Sequence, residues 1–255
     1  MVLTNLVAFI TGAGQGLGRA TAIRLASMNA KVIITDISEK AARSVAEEIG
    51  ASKSFAVVMD VTSEEQVKNA MDQAVQKWGK INVCVSCAGI APPMKTLSKR
   101  GPHSLDTFSK VLQVNTLGTF NVVRLVAEKM ALNEADEDGL RGVIINTASI
   151  AAYEGQIGQA AYAASKGAVV SMTLPIARDL AQYGIRVNTI APGLMMTPML
   201  EGLPESVQKD LASTVLFPKR LGKPDEFARL VQAIIENPML NGEVIRLDGG
   251  LRMQP

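Results

Sequence analysis

The feature that most constrains this chain is an alternation. Short β-branched apolar runs are separated by longer stretches with helical periodicity, and the pattern repeats almost from end to end. Such alternation marks βαβ units, in which parallel strands are joined by crossover helices. Seven runs read as strands, near Leu6–Thr11, Lys31–Asp36, Ser54–Met59, Asn82–Ser86, Gly142–Thr147, Arg186–Ile190 and Glu243–Leu247. Each is too continuously apolar to present one face to water, so helices are expected on both faces. Right-handed crossovers then give an α/β fold, a Rossmann-type doubly wound parallel sheet of seven strands, with ligands at the carboxyl ends of the strands. Residues 1–255 read as one domain, since 255 residues at 47% hydrophobic and 20% charged supply a core that buries roughly 70–75% of the unfolded surface.

Composition then removes whole classes of function. The 26 basic and 24 acidic side chains leave a net charge of +2, too little to gather nucleic acid unaided. One histidine, His103, and two cysteines, Cys84 and Cys87, cannot build the usual zinc sites, and a Ser-His-Asp scheme would have to rest on His103 alone. No metal is expected. Two cysteines also make no disulfide framework and suit a reducing compartment. Cys84 and Cys87 spell CxxC, yet along a strand residues three apart point to opposite faces, which argues against a redox pair. The N-terminal residues carry no charged leader or small-residue cleavage site, so no targeting segment is expected. The apolar runs fall far short of the roughly 20 residues a bilayer requires, so no membrane insertion is expected.

Two stretches stand outside the alternation. Residues 91–105, with Lys95, Lys99, Arg100 and a Gly-Pro pair, read as a surface loop insertion. Residues 192–217 carry Leu194, Met195, Met196, Met199, Leu200 and Leu203 among turn residues and read as a substrate lid. Adaptable methionines suit an acyl chain or a steroid skeleton, or equally a subunit surface. The insertion's cations suit the phosphates of a ligand or, at least as well, simply water. An acidic turn, Asn133–Gly139, is expected to be solvated, and His103 is expected at the surface.

At the end of the first strand comes Thr11-Gly12-Ala13-Gly14-Gln15-Gly16-Leu17-Gly18, followed by a helical pattern. Glycines here permit a tight turn and a close approach of backbone to a pyrophosphate, whose charge meets the N–H groups of the helix start. The second strand ends at Asp36, 18 residues beyond Gly18, where a dinucleotide fold places an acid on the adenosine ribose. An anion there repels a 2′-phosphate and position 37 is Ile37 rather than arginine, so NAD is favoured over NADP. Asp60 and Val61, and Cys87, Ala88 and Gly89, end the third and fourth strands on the same rim. They either touch adenine and ribose or serve their turns, with Asp60 capping a helix that starts near Ser63.

Of three tyrosines, only Tyr162 has a lysine four residues on, Lys166, and the two share a helix face. An ammonium beside a phenol favours phenolate and lowers a pKa that is ordinarily about 10. Ser149, 13 residues earlier, ends the fifth strand, where its hydroxyl can bond a substrate oxygen alongside the tyrosine.

In this order the segments resemble the short-chain dehydrogenase/reductases over the whole chain. Thr11–Gly18 is similar to the family's TGxxxGxG turn, Asn115 to its helix asparagine, Ser149 to its serine, Tyr162–Lys166 to its YxxxK and Pro192-Gly193 to its PG turn. One departure is plain: the family's NNAG reads Ser86-Cys87-Ala88-Gly89, without the first asparagine that steadies the central strand. Asn146–Ser149, Glu154–Gln156 and Gly242–Gly249 are similar to the subgroup acting on 3-hydroxyacyl-CoA thioesters and hydroxysteroids.

The resemblance implies reversible hydride transfer between NAD and a secondary alcohol. Tyr162 would exchange the alcohol proton, Lys166 would lower its pKa and hold the nicotinamide ribose, Ser149 would orient the oxygen and Asn115 would anchor a relay water. It implies NAD contacts at Gly12, Gln15, Gly16, Leu17, Gly18, Asp36, Asp60, Val61, Cys87, Ala88, Gly89, Tyr162, Lys166, Pro192, Met195 and Thr197, and substrate contacts at Ser149, Gln159 and Tyr162. It further implies an acyl-CoA or steroid substrate, a homotetramer and a mitochondrial matrix address, with the cytoplasm as alternative. A structural role among tRNA-processing proteins is the competing function.

Overall fold

In the computed structural model, residues 5–202 and 204–254 are described. The chain runs β1 (Val7–Thr11), α1 (Gly16–Ser27), β2 (Lys31–Asp36), α2 (Glu39–Ile49), β3 (Ser54–Val58), α3 (Glu64–Trp78) and β4 (Val83–Ser86). It continues with α4 (Leu105–Leu112), a π turn at Gln113–Gly118, α5 (Thr119–Ala131), β5 (Gly142–Thr147), α6 (Ala160–Ala181) and β6 (Ile185–Pro192). The last elements are α7 (Pro198–Glu201), α8 (Glu205–Thr214), α9 (Pro224–Glu236) and β7 (Val244–Leu247). Among the described residues the seven strands form one sheet in the order β3-β2-β1-β4-β5-β6-β7, every pair parallel. The expected fold is therefore the observed one, with strand limits that differ by a residue or two.

The register shows why both faces are apolar. Phe9, Cys84, Ile144 and Val187 lie side by side across β1, β4, β5 and β6 and pack with residues of α3, α5 and α6. The neighbouring positions Ala8, Val83 and Val143 face the other way, toward α1, α2 and α9. Strand order reverses between β1 and β4, which opens a crevice at the carboxyl edge of the sheet. Serine caps set where two of the helices begin: the Ser38 and Ser63 hydroxyls accept from the N–H groups of Ala41 and Gln66, both at 3.4 Å.

Three expectations are corrected. The edge strands are not fully covered: Val58 of β3 is 48% exposed and all of β7 is half-buried, because an edge strand has a neighbour on one side only. Residues 91–105 are not a plain loop, since Leu97–Ser98 and Gly101–Pro102 pair as a small exposed antiparallel hairpin. The acidic turn is exposed as expected, and Asp136 Oδ1 also accepts from the N–H groups of Asp138 (3.1 Å) and Leu140 (2.8 Å). Asp60 does not cap α3; that hydroxyl is Ser63's. In the 192–217 stretch, Leu203 and the side chain of Met199 lie outside the described residues. Cys84 and Cys87 do face opposite layers, and His103 is half-buried in the hairpin region with its ring edge on Phe108. Among the described residues no helix is long and apolar enough to cross a membrane, and no three His, Cys, Asp or Glu side chains group as metal ligands.

Candidate active site

The carboxyl edge is built first from backbone. Gly12 and Gly16 take φ of +60° and +55°, in the left-handed region that favours glycine. A Cβ on Gly12 would stand 2.8 Å from Ala88 Cα, and one on Gly18 would run into the Gly12 carbonyl. The turn therefore packs directly on the end of β4. Thr11 Oγ1 stitches the two together by accepting from the N–H groups of Cys87 and Ala88, each at 3.2 Å.

Asp36 is fixed at the end of β2 by two backbone donors. Its Oδ2 accepts from Gly14 N–H (3.0 Å) and its Oδ1 from Ser38 N–H (2.9 Å), so the carboxylate faces the glycine turn as an oriented hydrogen-bond acceptor. Ile37 beside it is 72% exposed, leaving no cation at the position where a 2′-phosphate would need one. Gln15 is exposed at the helix start with no capping bond of its own, and Leu17 is half-buried behind it. A cradle that a Cβ would fill, beside an oriented acid, fits a dinucleotide.

The other rim residues divide. Asp60 Oδ1 accepts from the N–H and hydroxyl of Thr62 (2.9 and 2.8 Å), which closes the turn after β3. Val61 is buried against Gly118, and its carbonyl accepts from Asn121. Gly89 is exposed on the rim, where a Cβ would sit 3.2 Å from Asn115 Oδ1 and 3.5 Å from Lys166 Nζ. Pro192 closes β6 and is buried. Met195 is buried and packed on Gly222, and Thr197 lies across from Gly16, where a Cβ would meet its methyl at 3.6 Å. The 192–217 stretch thus begins against the glycine turn. Behind it a cavity of about 190 Å³ opens toward β7, lined by Leu194, Met195, Val215, Arg220 and Leu247.

The catalytic candidates converge from β5, its following loop and α6. Ser149 lies just beyond β5, and its Oγ accepts from Ala151 N–H (3.1 Å), capping a single turn at Ile150–Ala152. Tyr162 lies on the first turn of α6; burial pushes the phenol's pKa up, and the nearby Ser149 hydroxyl acts against it. Lys166 is buried, with Nζ donating to the Thr147 carbonyl (2.8 Å), and burial pushes its pKa down to about 8. Its Nζ stands 5.8 Å from the centre of the Tyr162 ring. Burial outweighs the rest, so the phenol's pKa stands above its ordinary value rather than below it as expected, with the Lys166 ammonium held on the Thr147 carbonyl.

Asn115 supports the same helix from the π turn. Fully buried in the π turn, it donates from Nδ2 to the Ile90 carbonyl (2.9 Å) and to Ser165 Oγ (2.9 Å), while its Oδ1 accepts from Ile90 N–H (2.8 Å). Ser165 Oγ in turn donates to the Tyr162 carbonyl (2.7 Å). Both amide protons are spent on tying the segment after β4 to the helix that carries Tyr162. Its own carbonyl accepts from Thr119 Oγ1 (2.7 Å). Gln159, the further substrate candidate, stands at the start of α6 with its Oε1 accepting from Gln156 N–H (3.0 Å).

Sequence reasoning missed the π turn and the role of Ser165, which no residue type announces. It also left Thr11 as a letter in a motif, although a hydroxyl ending a strand beside glycines is a readable signal. At the departure from NNAG, the buried Ser86 hydroxyl has no partner but the weakly polar Cys84 thiol. Asn146, its register partner on β5, has both amide atoms buried without a partner among the described residues.

Comparison with known proteins agrees with this geometry. A family model described as short chain dehydrogenase matches residues 6–208. The chain is 59% identical over 253 residues to the 3-hydroxyacyl-CoA dehydrogenase type-2 of Homo sapiens, covering 98% of this chain and 97% of that one. It is 56% identical over 256 residues to the protein of that name from Drosophila melanogaster, covering all of both chains. A crystal structure of 3-hydroxyacyl-CoA dehydrogenase type-2 from Mycobacterium avium superposes with a TM-score of 0.95 at 41% identity, covering 99% and 98% of the two chains.

Proposed function

Because the chain belongs to the short chain dehydrogenase family and is an oxidoreductase, we propose that it interconverts 3-hydroxyacyl-CoA and 3-oxoacyl-CoA with NAD, and takes hydroxysteroids as further substrates. The observation that carries this reading is the convergence of Ser149, just after β5, and Tyr162, on the first turn of α6, at the carboxyl edge of the sheet that also holds Asp36 and the glycine turn. Bound NAD supplies the hydride acceptor, and the residues supply placement and proton transfer.

In oxidation the Tyr162 oxygen takes the alcohol proton while Ser149 holds the substrate oxygen by hydrogen bond. In reduction Tyr162 returns that proton. Lys166, with Nζ on the Thr147 carbonyl, pins α6 to the end of β5 and keeps a positive charge under the site below about pH 8. Asn115 fixes the height of Tyr162 through Ser165. Asp36, as acceptor for the ribose hydroxyls, and Ile37, in place of a cation, favour NAD over its 2′-phosphorylated form.

The hairpin supports the thioester side of the reading. Lys95, Lys99 and Arg100 are exposed there, in no ion pair among the described residues, and Met94 N–H donates to the Gly158 carbonyl just ahead of α6 (2.9 Å). Cations tethered beside the catalytic loop suit the phosphates of coenzyme A. Exposed Leu117, Phe120 and Leu174 in the π turn, α5 and α6 support assembly of four copies, and the mitochondrial matrix is the proposed address by likeness to the relatives. A scaffold role among tRNA-processing proteins is not favoured, since a net charge of +2 gives no basic field and the site is built for proton transfer.

The decisive test is NADH oxidation with acetoacetyl-CoA by the wild-type protein and by Tyr162→Phe. The variant is expected to lose turnover by about 10³-fold, with its Kd for NADH within about twofold since the phenol contributes little to cofactor affinity. A variant turning over at the wild-type rate would defeat the assignment.

A further inference from the structure

Ser149 and Tyr162 flank one loop, residues 150–159, which after the turn at Ile150–Ala152 has no regular structure until α6. Its sequence does little to hold it, with Gly155 and Gly158 inside and the exposed Ile157 between them. Beyond the short bonds at its two ends, at Ile150 and between Gln156 and Gln159, and the Met94 N–H on the Gly158 carbonyl, the middle of the loop is held by the C-terminal end of the chain. Arg246 of β7 sets its guanidinium fork on Glu154, with Nη1 to Oε1 at 2.8 Å and Nη2 to Oε2 at 3.2 Å. The same guanidinium donates to Asp248 (2.7 Å) and to the Leu251 carbonyl (3.0 Å), and faces the Tyr153 ring at 5.4 Å.

The tail then returns to the loop. Glu154 Oε2 accepts from Met253 N–H (3.0 Å), and Gln156 Nε2 donates to the Gln254 carbonyl (2.9 Å). Arg252 reaches both Asp248 (3.2 Å) and Glu154 (3.5 Å). A surface ion pair would mean little, but the side chains of Arg246, Glu154 and Asp248 are only 23%, 20% and 8% exposed. The bidentate fork also fixes direction as well as distance. Held by that fork and the Met253 N–H, the Glu154 carboxyl titrates below the usual range, so it is ionised through the whole working pH interval.

We infer that Glu154 is a positioning residue: by gripping Arg246 and the tail at Met253 it sets the spacing of Ser149 and Tyr162, so that attachment of the C-terminal tail and proton transfer are coupled. The inference rests on the reading of those two hydroxyls as the reacting pair.

The test combines kinetics with amide hydrogen exchange. In Glu154→Gln, kcat for acetoacetyl-CoA reduction is expected to fall about tenfold or more while the KM for NADH, whose adenosine end lies at β1 and β2, changes less than about twofold. Exchange across residues 150–158 should quicken about tenfold with β1 and β2 unchanged, the sign of a local opening rather than global unfolding. Glu154→Asp, which keeps the charge, should recover part of both effects. A chain ending at Leu251 loses the Arg252, Met253 and Gln254 contacts but keeps Glu154 and Arg246; it should show the same loop acceleration, and it decides the matter if Glu154→Gln fails to fold. Unchanged exchange at 150–158 in both altered proteins overturns the inference, as does lost kcat with acceleration spread evenly over the sheet. Should Tyr162→Phe turn over normally, the reacting pair is wrong, and the exchange data still report whether the tail holds the loop.

Discussion

The two halves of the sheet edge are built by different means. Around β1, β2 and β4 the cofactor cradle is made of backbone: glycines that leave room, N–H groups at a helix start, and one carboxylate clamped by Gly14 and Ser38 N–H. Around β5, α6 and β7 the reacting edge is made of side chains whose placement depends on partners far along the chain, Asn115 on Ser165 and Glu154 on Arg246. The first kind of site is local and tolerates little change of shape. The second is adjustable, because each partner can shift what burial does to a neighbouring pKa. That difference separates recognition of a shared cofactor from the tuning of a particular reaction.

Removing the carboxylate from the backbone-built half should give the largest effect after loss of Tyr162 itself. In Asp36→Ala the ribose hydroxyls lose a charged acceptor and the Gly14 and Ser38 N–H groups lose theirs. At roughly 1.5–3 kcal/mol for a hydrogen bond to a charged group, the KM for NADH should rise about 10- to 100-fold. The preference over NADPH should relax at the same time, because the repelling charge is gone. At saturating cofactor, kcat should stay within about threefold, since nothing at Asp36 touches the reacting atoms. Steady-state kinetics with both cofactors check this, and an equal loss in kcat would erase the division drawn between the two halves.

How much of each half can be read from sequence follows from the same division. The glycine turn and Asp36 are legible because a positive φ and a close backbone approach admit few residue types, and because the spacing lies within one βαβ unit. Ser149, Tyr162 and Lys166 are legible as types at helical and strand-end positions. Their energetics are not. The pairing of Tyr162 with Lys166 on one helix face predicts a lowered phenol pKa, yet burial decides otherwise. The bonds that hold Asn115 are equally hidden, since its donors reach Ile90 and Ser165, 25 and 50 residues away. The sheet is legible throughout; the hairpin at Leu97–Pro102 and the π turn are not, because two-residue strands and an extra residue in a helical turn leave no periodicity to find.

The side-chain-built half carries the pH dependence. A phenol whose pKa is raised by burial is protonated at neutral pH, which favours the ketone-reducing direction. Oxidation requires the deprotonated form, so its kcat/KM should climb by up to about tenfold per pH unit from neutrality upward, while reduction holds and then declines. Lys166 works the other way on charge. Its pKa is pushed down to about 8, so its ammonium is present below that value and lost above it, and both profiles should bend near pH 8. Lys166→Arg keeps a charge at all working pH values, and the bend should disappear from whatever activity remains. Profiles that ignore pH from 6 to 9, in both directions, would mean that neither group titrates in the rate-limiting step.

The smallest expected effect lies at the hairpin, where the molecule departs from both modes of construction. Its backbone anchors to the catalytic loop at one point, Met94 N–H to the Gly158 carbonyl, and its cations stand free in water. Charges so exposed are screened and contribute on the order of 0.2–1 kcal/mol apiece. Changing Lys95, Lys99 and Arg100 together to glutamate should therefore raise the KM for acetoacetyl-CoA about 5- to 30-fold, summing three modest terms and their reversal. A hydroxysteroid has no phosphate for these side chains to meet, so its KM should hold, and the acyl-CoA effect should shrink as salt is added. The pair of substrates separates two causes that a single KM would confuse. Loss toward both would mean that the charge change has disturbed the loop at Gly158 and hence the Ser149–Tyr162 spacing. Loss toward neither would leave the hairpin outside substrate recognition and return selectivity to the apolar segment that begins at Met195.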